Sequence, residues 1–390
     1  MFHSKSIKAS LEAHRSRFQV ANQQLQAELD RLQGILAYWA NQPVEALDAA
    51  LVHSPWPGAR PTKEQTNAKL VTSFTERWQH HQQARAWALQ ILEGVTTFAV
   101  DGSQLSPPKE FSIPVGLVQV GWFKNHHTRQ SHGRFEKDAI VTVLGPEELE
   151  VEGSVEEEVG WRRFQAEVAQ LHTFITDTSD SAKPTVAFFD GSFILSFIQR
   201  LPMQRRQAYL QPIRDLLATS EQVRIPLVAY VDLSRSRDLL NMLLTLTGEQ
   251  RFSQLTDAQL LSGLMEAWGD RCRFYTCARS DRFIPSVWRD YYADVVFTYL
   301  QTTSDGLPAR IELPRWVLED ELQEWVLDVI RAECVVGLGY PYTLASADAV
   351  AVISNRDRAR FMTLFQQFAE EANLDLRQSR KEISKRWYRR

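Results

Sequence analysis

The chain has 390 residues, 44% of them hydrophobic, and a formal net charge of -4, so it can bury a sizeable core and lacks the general basic character typical of many nucleic-acid-binding proteins. Its three cysteines, Cys272, Cys277 and Cys334, form no Cys-x-x-Cys motif, which argues against a zinc knuckle or a disulfide framework and favours a reducing cytoplasm. The amino-terminal stretch lacks the apolar segment of a signal peptide, and no window of about 18 apolar residues predicts a membrane span.

The first predicted region, residues 1–93, is helical. One amphipathic helix is predicted from apolar residues at helical spacing, namely Leu11, Phe18, Leu25, Leu29, Leu32 and Ile35. Three prolines in "HSPWPGARP" end this pattern, and a second helix is predicted from about Glu64 to Glu93. Packing or dimerisation is the simpler interpretation of this helical pair, and a partner-binding arm is the alternative.

Residues 94–354 are predicted to form an α/β domain, because short apolar strands alternate with helical segments. The strand signals are "GVTTFAVDG", "SIPVGLVQVGWF", "DAIVTVLG", "TVAFFDGS" and "IPLVAYVDLS", followed later by "FTYLQTT" and "RIELP". The first three are expected to pair antiparallel, whereas continuous apolar character in "IPLVAYV" is typical of a buried parallel strand. The last region, residues 355–390, is predicted to be a helix that becomes basic in "RQSRKEISKRWYRR".

Two of the predicted strands end in the same tripeptide, Asp-Gly-Ser, which begins at Asp101 and at Asp190. Ligands of open α/β sheets bind beyond the carboxyl ends of the strands, and neighbouring strands are about 4.8 Å apart, so both carboxylates could reach one divalent ion. A hard cation such as Mg²⁺ or Mn²⁺ prefers oxygen ligands and relieves the repulsion between two carboxylates. Asp-Gly is also common in plain turns, and the spacing alone leaves both interpretations open.

A resemblance to a known family favours the metal site. The stretches "FAVDGSQL", "VAFFDGSFIL", "PLVAYVDLSRSRDLL", "RIELP" and "GLGYPYTLASADAVAVIS" occur in this order and together resemble the NurA family of DNA-repair nucleases over roughly residues 94–354. The resemblance implies a ribonuclease-H-like mixed sheet flanked by helices, and DNA cleavage assisted by Mn²⁺ or Mg²⁺, with two ions. It also implies 5′–3′ exonuclease and single-strand endonuclease activity at DNA double-strand breaks, a homodimer, and a HerA-type hexameric ATPase as partner.

The same resemblance assigns catalytic and metal-binding roles to four acidic residues. Asp101 and Asp190 match the family's two strand aspartates, and Glu167 is preferred over Glu158 for its helical glutamate. Asp348 stands where members of the family often carry a histidine, and aspartate cannot act as an imidazole base near neutral pH. This departure supports an alternative, a non-catalytic dimeric module that binds DNA or the translocase.

Several basic residues are candidates for binding DNA, because a slightly acidic protein needs local positive patches to hold a polyanion. The candidates are Lys124, Arg129, Arg134, Arg235, Arg380 and Lys381. For each of them a solvated surface position is the simpler interpretation, and Arg235 could equally begin a helix. An ATP-binding protein of the actin–hexokinase class is a third hypothesis, but the sequence contains no Walker A loop.

Overall fold

The structure, a computed structural model, describes residues 3–66, 69–108, 111–128, 134–150, 154–179, 183–249, 253–279 and 291–376. The chain divides into two compact units, and each unit is built from two separate stretches. The first unit consists of Met1–Arg77 and Val231–Arg315, and the second consists of Trp78–Tyr230 and Trp316–Arg390. These units differ from the consecutive regions 1–93, 94–354 and 355–390 expected from the sequence, because segments distant along the chain complete each core.

Helices and strands alternate through most of the chain. The helices are α1 (Ser4–Ala13), α2 (Arg15–Ala40), α3 (Val44–Leu51), α4 (His81–Leu92), α5 (Pro146–Leu149), α6 (Val155–Asp177), α7 (Met203–Val223), α8 (Asp238–Leu246), α9 (Asp257–Leu261), α10 (Arg315–Glu319), α11 (Gln323–Val336), α12 (Tyr342–Ala351) and α13 (Asn355–Glu371). The strands are β1 (Gly58–Pro61), β2 (Val71–Thr72), β3 (Thr96–Leu105), β4 (Gly116–Asn125), β5 (Phe135–Leu144), β6 (Thr185–Asp190), β7 (Leu227–Val231), β8 (Arg271–Cys272), β9 (Tyr275–Ala278), β10 (Val295–Leu300) and β11 (Ala309–Pro314). No helix within the described ranges is both long enough and apolar enough to cross a bilayer.

A mixed sheet forms the centre of the second unit, with the strand order β7-β6-β3-β4-β5. β6 pairs parallel with both β7 and β3, whereas β4 pairs antiparallel with β3 and with β5. The apolar residues of β3, β6 and β7 are buried, except for the half-buried Val231 at the end of β7, as expected for the central strands of a sheet that is covered by helices. The predicted mixed α/β fold flanked by helices is therefore confirmed; its ribonuclease-H-like character stays a prediction.

Helices cover both faces of this sheet. α6 packs on β3, β4 and α7, and α12 packs on β3, β4 and β6. Two glycines show that the helices lie on opposite faces. Gly102 of β3 contacts α6, whereas Gly121, which pairs with the preceding residue Asp101, contacts α12. Successive residues of a strand face opposite sides of a sheet, so α6 and α12 are on opposite sides.

The first unit has a smaller antiparallel sheet and an unusually charged interior. Its strands follow the order β1-β9-β10-β11, and β8 pairs with β2 and β10. Arg310 lies in the interior between the carboxylates of Asp238 and Glu312, and each of these three side chains is at most 1% exposed. Asp257 accepts hydrogen bonds from the first N–H groups of α8 and so caps that helix.

The amino-terminal region differs from its prediction. The helix expected between Glu64 and Glu93 is restricted to α4, and the preceding residues form a 3₁₀ turn and the short strand β2. Tertiary contacts explain the difference, since the carboxylate of Glu64 pairs with Arg271 and accepts the N–H of Phe274. The long helix α2 is present, although the amino-terminal part of its apolar stripe is exposed, including Phe18.

Candidate active site

Asp101 and Asp190 lie side by side on the parallel strands β3 and β6. The register places Val100 opposite Phe189, and each of these residues is followed directly by one of the two aspartates. β6 ends at Asp190 as predicted, but β3 continues through Asp101 to Leu105, because these residues keep pairing with β4. The expectation that both strands stop at their aspartate is therefore wrong for Asp101.

The glycines that follow the two aspartates have different structural roles. Gly191 has a positive φ of 140° and begins the sharp exit from β6, as the sequence suggests. Gly102 continues β3, and its importance is steric, because an added Cβ would overlap Oε1 of Glu167. The missing side chain at Gly102 thus allows Glu167 to approach the strand beside Asp101.

Glu167 extends from α6 to this position and is held there by an arginine. Nη1 of Arg163 donates to Oε1 of Glu167 at 2.6 Å and to the carbonyl oxygen of Gly102 at 3.2 Å. Nε of the same guanidinium donates to Oε1 of Gln104 at 3.1 Å. Since Glu167 is only 6% exposed, this arginine supplies the main positive charge facing a buried carboxylate.

α12 places Asp348 close to Asp101 from the other face of the sheet. The two carboxyl groups are close enough to interact directly, and this interaction contributes to the raised pKa of Asp101. α12 approaches the sheet closely at Gly121, where an added Cβ would lie 2.5 Å from the backbone nitrogen of Ala351. Nε2 of Gln119 donates to the carbonyl oxygen of Ala351 at 3.0 Å and secures the carboxyl-terminal end of the helix.

Burial and nearby negative charges raise the pKa of two of these carboxyl groups, those of Asp101 and Glu167. Burial, with the charges of Asp190 and Asp348, raises the pKa of Asp101 to about 6, although the N–H of Gly102 opposes this change. Burial also raises the pKa of Glu167 to about 7, against the opposing charge of Arg163 and with smaller contributions from Asp101 and Asp190. The structure therefore brings all four predicted acidic residues into one electrostatically coupled group.

This group suits a hard cation chemically but is not a closed cage. Within the part of the chain that the structure describes, no three His, Cys, Asp or Glu side chains converge closely enough to enclose an ion. Asp190 and Asp348 are exposed, whereas Glu167 is buried and held in place by Arg163. All four residues offer oxygen donors, which match Mg²⁺ or Mn²⁺ better than a soft metal.

Two other buried glutamates, the alternative Glu158 and Glu312 of the segment RIELP, have structural partners elsewhere. Glu158, the alternative to Glu167, is buried and pairs with Arg162 at 2.9 Å and with Arg205. Both of its oxygens are thus used in ion pairs, one within α6 to Arg162 and one that joins α6 to α7 through Arg205. Glu312 is fully buried in the first unit against Arg310, where it has a structural role.

The predicted DNA-binding residues are scattered. Lys124 lies 3.8 Å from the carboxylate of Glu136 and faces the ring of Phe174, while Arg134 and Arg235 are exposed. Arg235 belongs to the first unit and Arg134 to the second. The remaining candidates, Arg129, Arg380 and Lys381, lie outside the described residues.

Sequence reasoning missed Arg163, Gln119 and Gly121. The spacing of Arg163 and Glu167, one helical turn apart, was a usable signal for their ion pair. Nothing in the sequence indicated that α12 would pack against Gln119 and Gly121, because that helix follows more than two hundred residues later. These contacts depend on tertiary packing.

A family model described as NurA domain matches residues 95–353, which is more than half of the chain. A solved structure titled "Crystal structure of NurA" is similar with a TM-score of 0.41 and 8% sequence identity, over 70% of this chain and 89% of that chain. No curated protein matches. The family model, which includes all four acidic residues, confirms the resemblance noted in the sequence.

Proposed function

Because the chain belongs to the NurA family, a family of nucleases, we propose that it is a metal-dependent deoxyribonuclease acting on DNA ends. The observation that carries this proposal is the acidic cluster around Asp101 in the second unit, where Asp101 interacts electrostatically with Glu167, Asp190 and Asp348. Placing four carboxylates near one another costs folding free energy, because their negative charges repel one another. A purely structural protein gains nothing from this cost. A nuclease that neutralises them with divalent ions has a use for the arrangement.

The proposed mechanism assigns a task to each side chain. Asp101 and Asp190 would hold two Mn²⁺ or Mg²⁺ ions from adjacent strands, with Glu167 and Asp348 completing the ligand set from the two faces of the sheet. When bound, such ions polarise a phosphate and activate water for attack on phosphorus. Arg163 keeps Glu167 oriented, and its exposed portion provides a positive charge at the edge of the site for the DNA backbone.

Several finer properties belong to this proposal by family membership. They are a preference for Mn²⁺, 5′–3′ exonuclease and single-strand endonuclease activity, processing of double-strand breaks, a homodimer, and a HerA-type hexameric ATPase as partner. The three cysteines are buried and form no disulfide with one another, which suits the reducing cytoplasm expected from the sequence.

A non-catalytic module that binds DNA or the translocase is the second candidate. The observation in its favour is Asp348, which occupies the place where a histidine is expected. The interaction of Asp348 with Asp101 supports a place for Asp348 in the group, but a carboxylate provides different proton-transfer chemistry from an imidazole.

Cleavage of labelled linear DNA in the presence of Mn²⁺ distinguishes the two candidates. We expect the wild-type protein to degrade the DNA and both Asp101→Asn and Asp190→Asn to lose at least about 100-fold in rate, since each removes a direct ion ligand. Asp232→Asn is the matched control, because Asp232 is exposed in the first unit, and it should cleave at the wild-type rate. Absence of cleavage by the wild type, with DNA binding retained, would favour the non-catalytic module.

A further inference from the structure

A buried glutamate lies beneath the helix that carries Asp348. Glu333 of α11 is fully buried, and its carboxylate faces α12, β3 and the segment that follows β4. Its Oε2 accepts the backbone N–H of Thr343 at 2.7 Å, and its Oε1 accepts the hydroxyl of Thr343 at 2.9 Å. A buried carboxylate is costly unless its oxygens are satisfied, so this set of donors explains how the position is tolerated.

Two further side chains join this carboxylate to the strand of Asp101. The hydroxyl of Thr97 on β3 lies 3.1 Å from Oε1 of Glu333 and 2.8 Å from the hydroxyl of Thr343. Nε2 of His127, a side chain 9% exposed, lies 3.1 Å from Oε1 of Glu333 and 2.9 Å from the hydroxyl of Thr97. His127 has a positive φ of 42°, an unfavourable backbone conformation that tertiary contacts must maintain.

The network connects the two elements that carry Asp101 and Asp348, namely β3 and α12. Thr97 and Asp101 lie on the same strand, β3, with Thr97 near its beginning. Thr343 is in the first turn of α12, and Asp348 is further along the same helix. The negative charge of Glu333 at the amino-terminal end of α12 also interacts favourably with the helix dipole. Together with Gln119 at the other end, the network holds α12 at both of its termini.

We propose that Glu333 is a positioning residue that, through Thr343, Thr97 and His127, fixes Asp348 on α12 relative to Asp101 on β3. This inference rests on the proposed function, because the pair it positions is assigned there to metal binding. Glu333 does not touch the ions or the DNA. It acts through the placement of a helix, and the contacts that transmit its effect are the hydrogen bonds to Thr343 and Thr97.

The test compares Glu333→Gln with a matched variant on the same helix. Glu324→Gln makes the same chemical change at a side chain that is 49% exposed, so it controls for the loss of a negative charge. Thr343→Val is a milder second variant, because it removes one hydroxyl donor and keeps the size of the side chain. Mn²⁺ affinity is measured by calorimetry, and amide hydrogen exchange is measured over residues 342–351.

We expect Glu333→Gln to weaken Mn²⁺ binding roughly tenfold, in the range found for groups that orient metal ligands, and to accelerate exchange in α12. Thr343→Val should show the same changes to a smaller extent, and Glu324→Gln should resemble the wild type. In an Asp348→Asn background, Glu333→Gln should add less than about a twofold loss, because its effect passes through the missing carboxylate.

Two results would overturn the inference. One is an equal loss of Mn²⁺ affinity from Glu333→Gln in both backgrounds, which would indicate general destabilisation. The other is unchanged exchange in α12. A wild-type protein that binds no Mn²⁺ would instead refute the proposed function, and the exchange measurement would then decide the inference by itself.

Discussion

Asp101 and Glu167 retain their protons at a pH where exposed carboxyl groups are ionised. Burial is the main cause for both residues, and the neighbouring negative charges add to it. In the unfolded chain the carboxyl groups of these two residues have pKa values of about 4. In the folded protein the pKa of Asp101 is about 6 and that of Glu167 is about 7. The folded protein therefore binds more protons than the unfolded chain within this interval.

This difference predicts how stability depends on pH without divalent metal. The free energy of unfolding should fall as pH rises from about 4 to about 7, because the folded state must then give up protons that it binds tightly. Glu167→Gln should remove part of this slope, on the order of 1–3 kcal/mol across the interval. Urea unfolding in a chelator at several pH values measures it, and parallel wild-type and variant curves would contradict the assignment.

Glu158 and Glu167 show why the site could be predicted only in part at the level of single residues. Both are buried glutamates of α6, and the sequence gives no certain way to choose between them. In the structure Glu158 faces α7 and pairs with Arg205, whereas Glu167 faces β3 beside Gly102. The direction of each side chain around the helix, together with its neighbours, makes the distinction.

At the level of elements, the docking of α12 on β4 is the contact on which the site depends most. Its closest point is Gly121, where the backbone of Ala351 leaves no space for a side chain. Because Gly121 pairs with Asp101, the same contact determines how α12 approaches that aspartate. The segment of α12 has no marked amphipathic pattern, so the sequence predicted neither this helix nor its partner.

Gly121→Ala should displace α12 and separate Asp348 from Asp101. We expect a loss of about 1–3 kcal/mol in stability, typical of overpacking, and a larger proportional loss of Mn²⁺ affinity. Gly34→Ala is the matched control, since an added Cβ on Gly34 would meet no described atom within 4 Å and alanine favours the helix that contains it. Chemical denaturation and calorimetry provide the two measurements. A Gly121→Ala protein as stable as the wild type would show that the contact is looser than the structure indicates.

At the level of the whole molecule, each compact unit is completed by a stretch of chain from the other half of the sequence. In the first unit, β1 from the amino-terminal stretch pairs with β9 from the central stretch. The interior of this unit also contains Arg310, whose Nη1 lies 2.9 Å from Asp238 and whose Nε lies 2.7 Å from Glu312. Asp238 is paired in addition with Arg279, and these pairings hold the pKa of its carboxyl below the ordinary value against the cost of burial.

Replacing Arg310 should strongly destabilise the first unit. Arg310→Met removes the guanidinium that contacts both Asp238 and Glu312, two buried carboxylates, and we expect a cost of about 3–5 kcal/mol. Arg315→Met is the control, because that side chain is 47% exposed and its pair with Asp294 is worth about 0–1 kcal/mol. Thermal unfolding of both variants measures the difference. Similar melting temperatures for the two variants would contradict a structural role for Arg310.

The sequence by itself determined the strands of the second unit and the residue types of its candidate site. Apolar strands, amphipathic helices and the repeated Asp-Gly-Ser were readable because they depend on local periodicity and on residues adjacent in the chain. Tertiary structure alone decided that β3 continues past Asp101, that Glu167 rather than Glu158 faces the strand, and that α12 brings Asp348 from the opposite face. Those features depend on close packing between segments far apart in sequence, and no local pattern records which surfaces will meet.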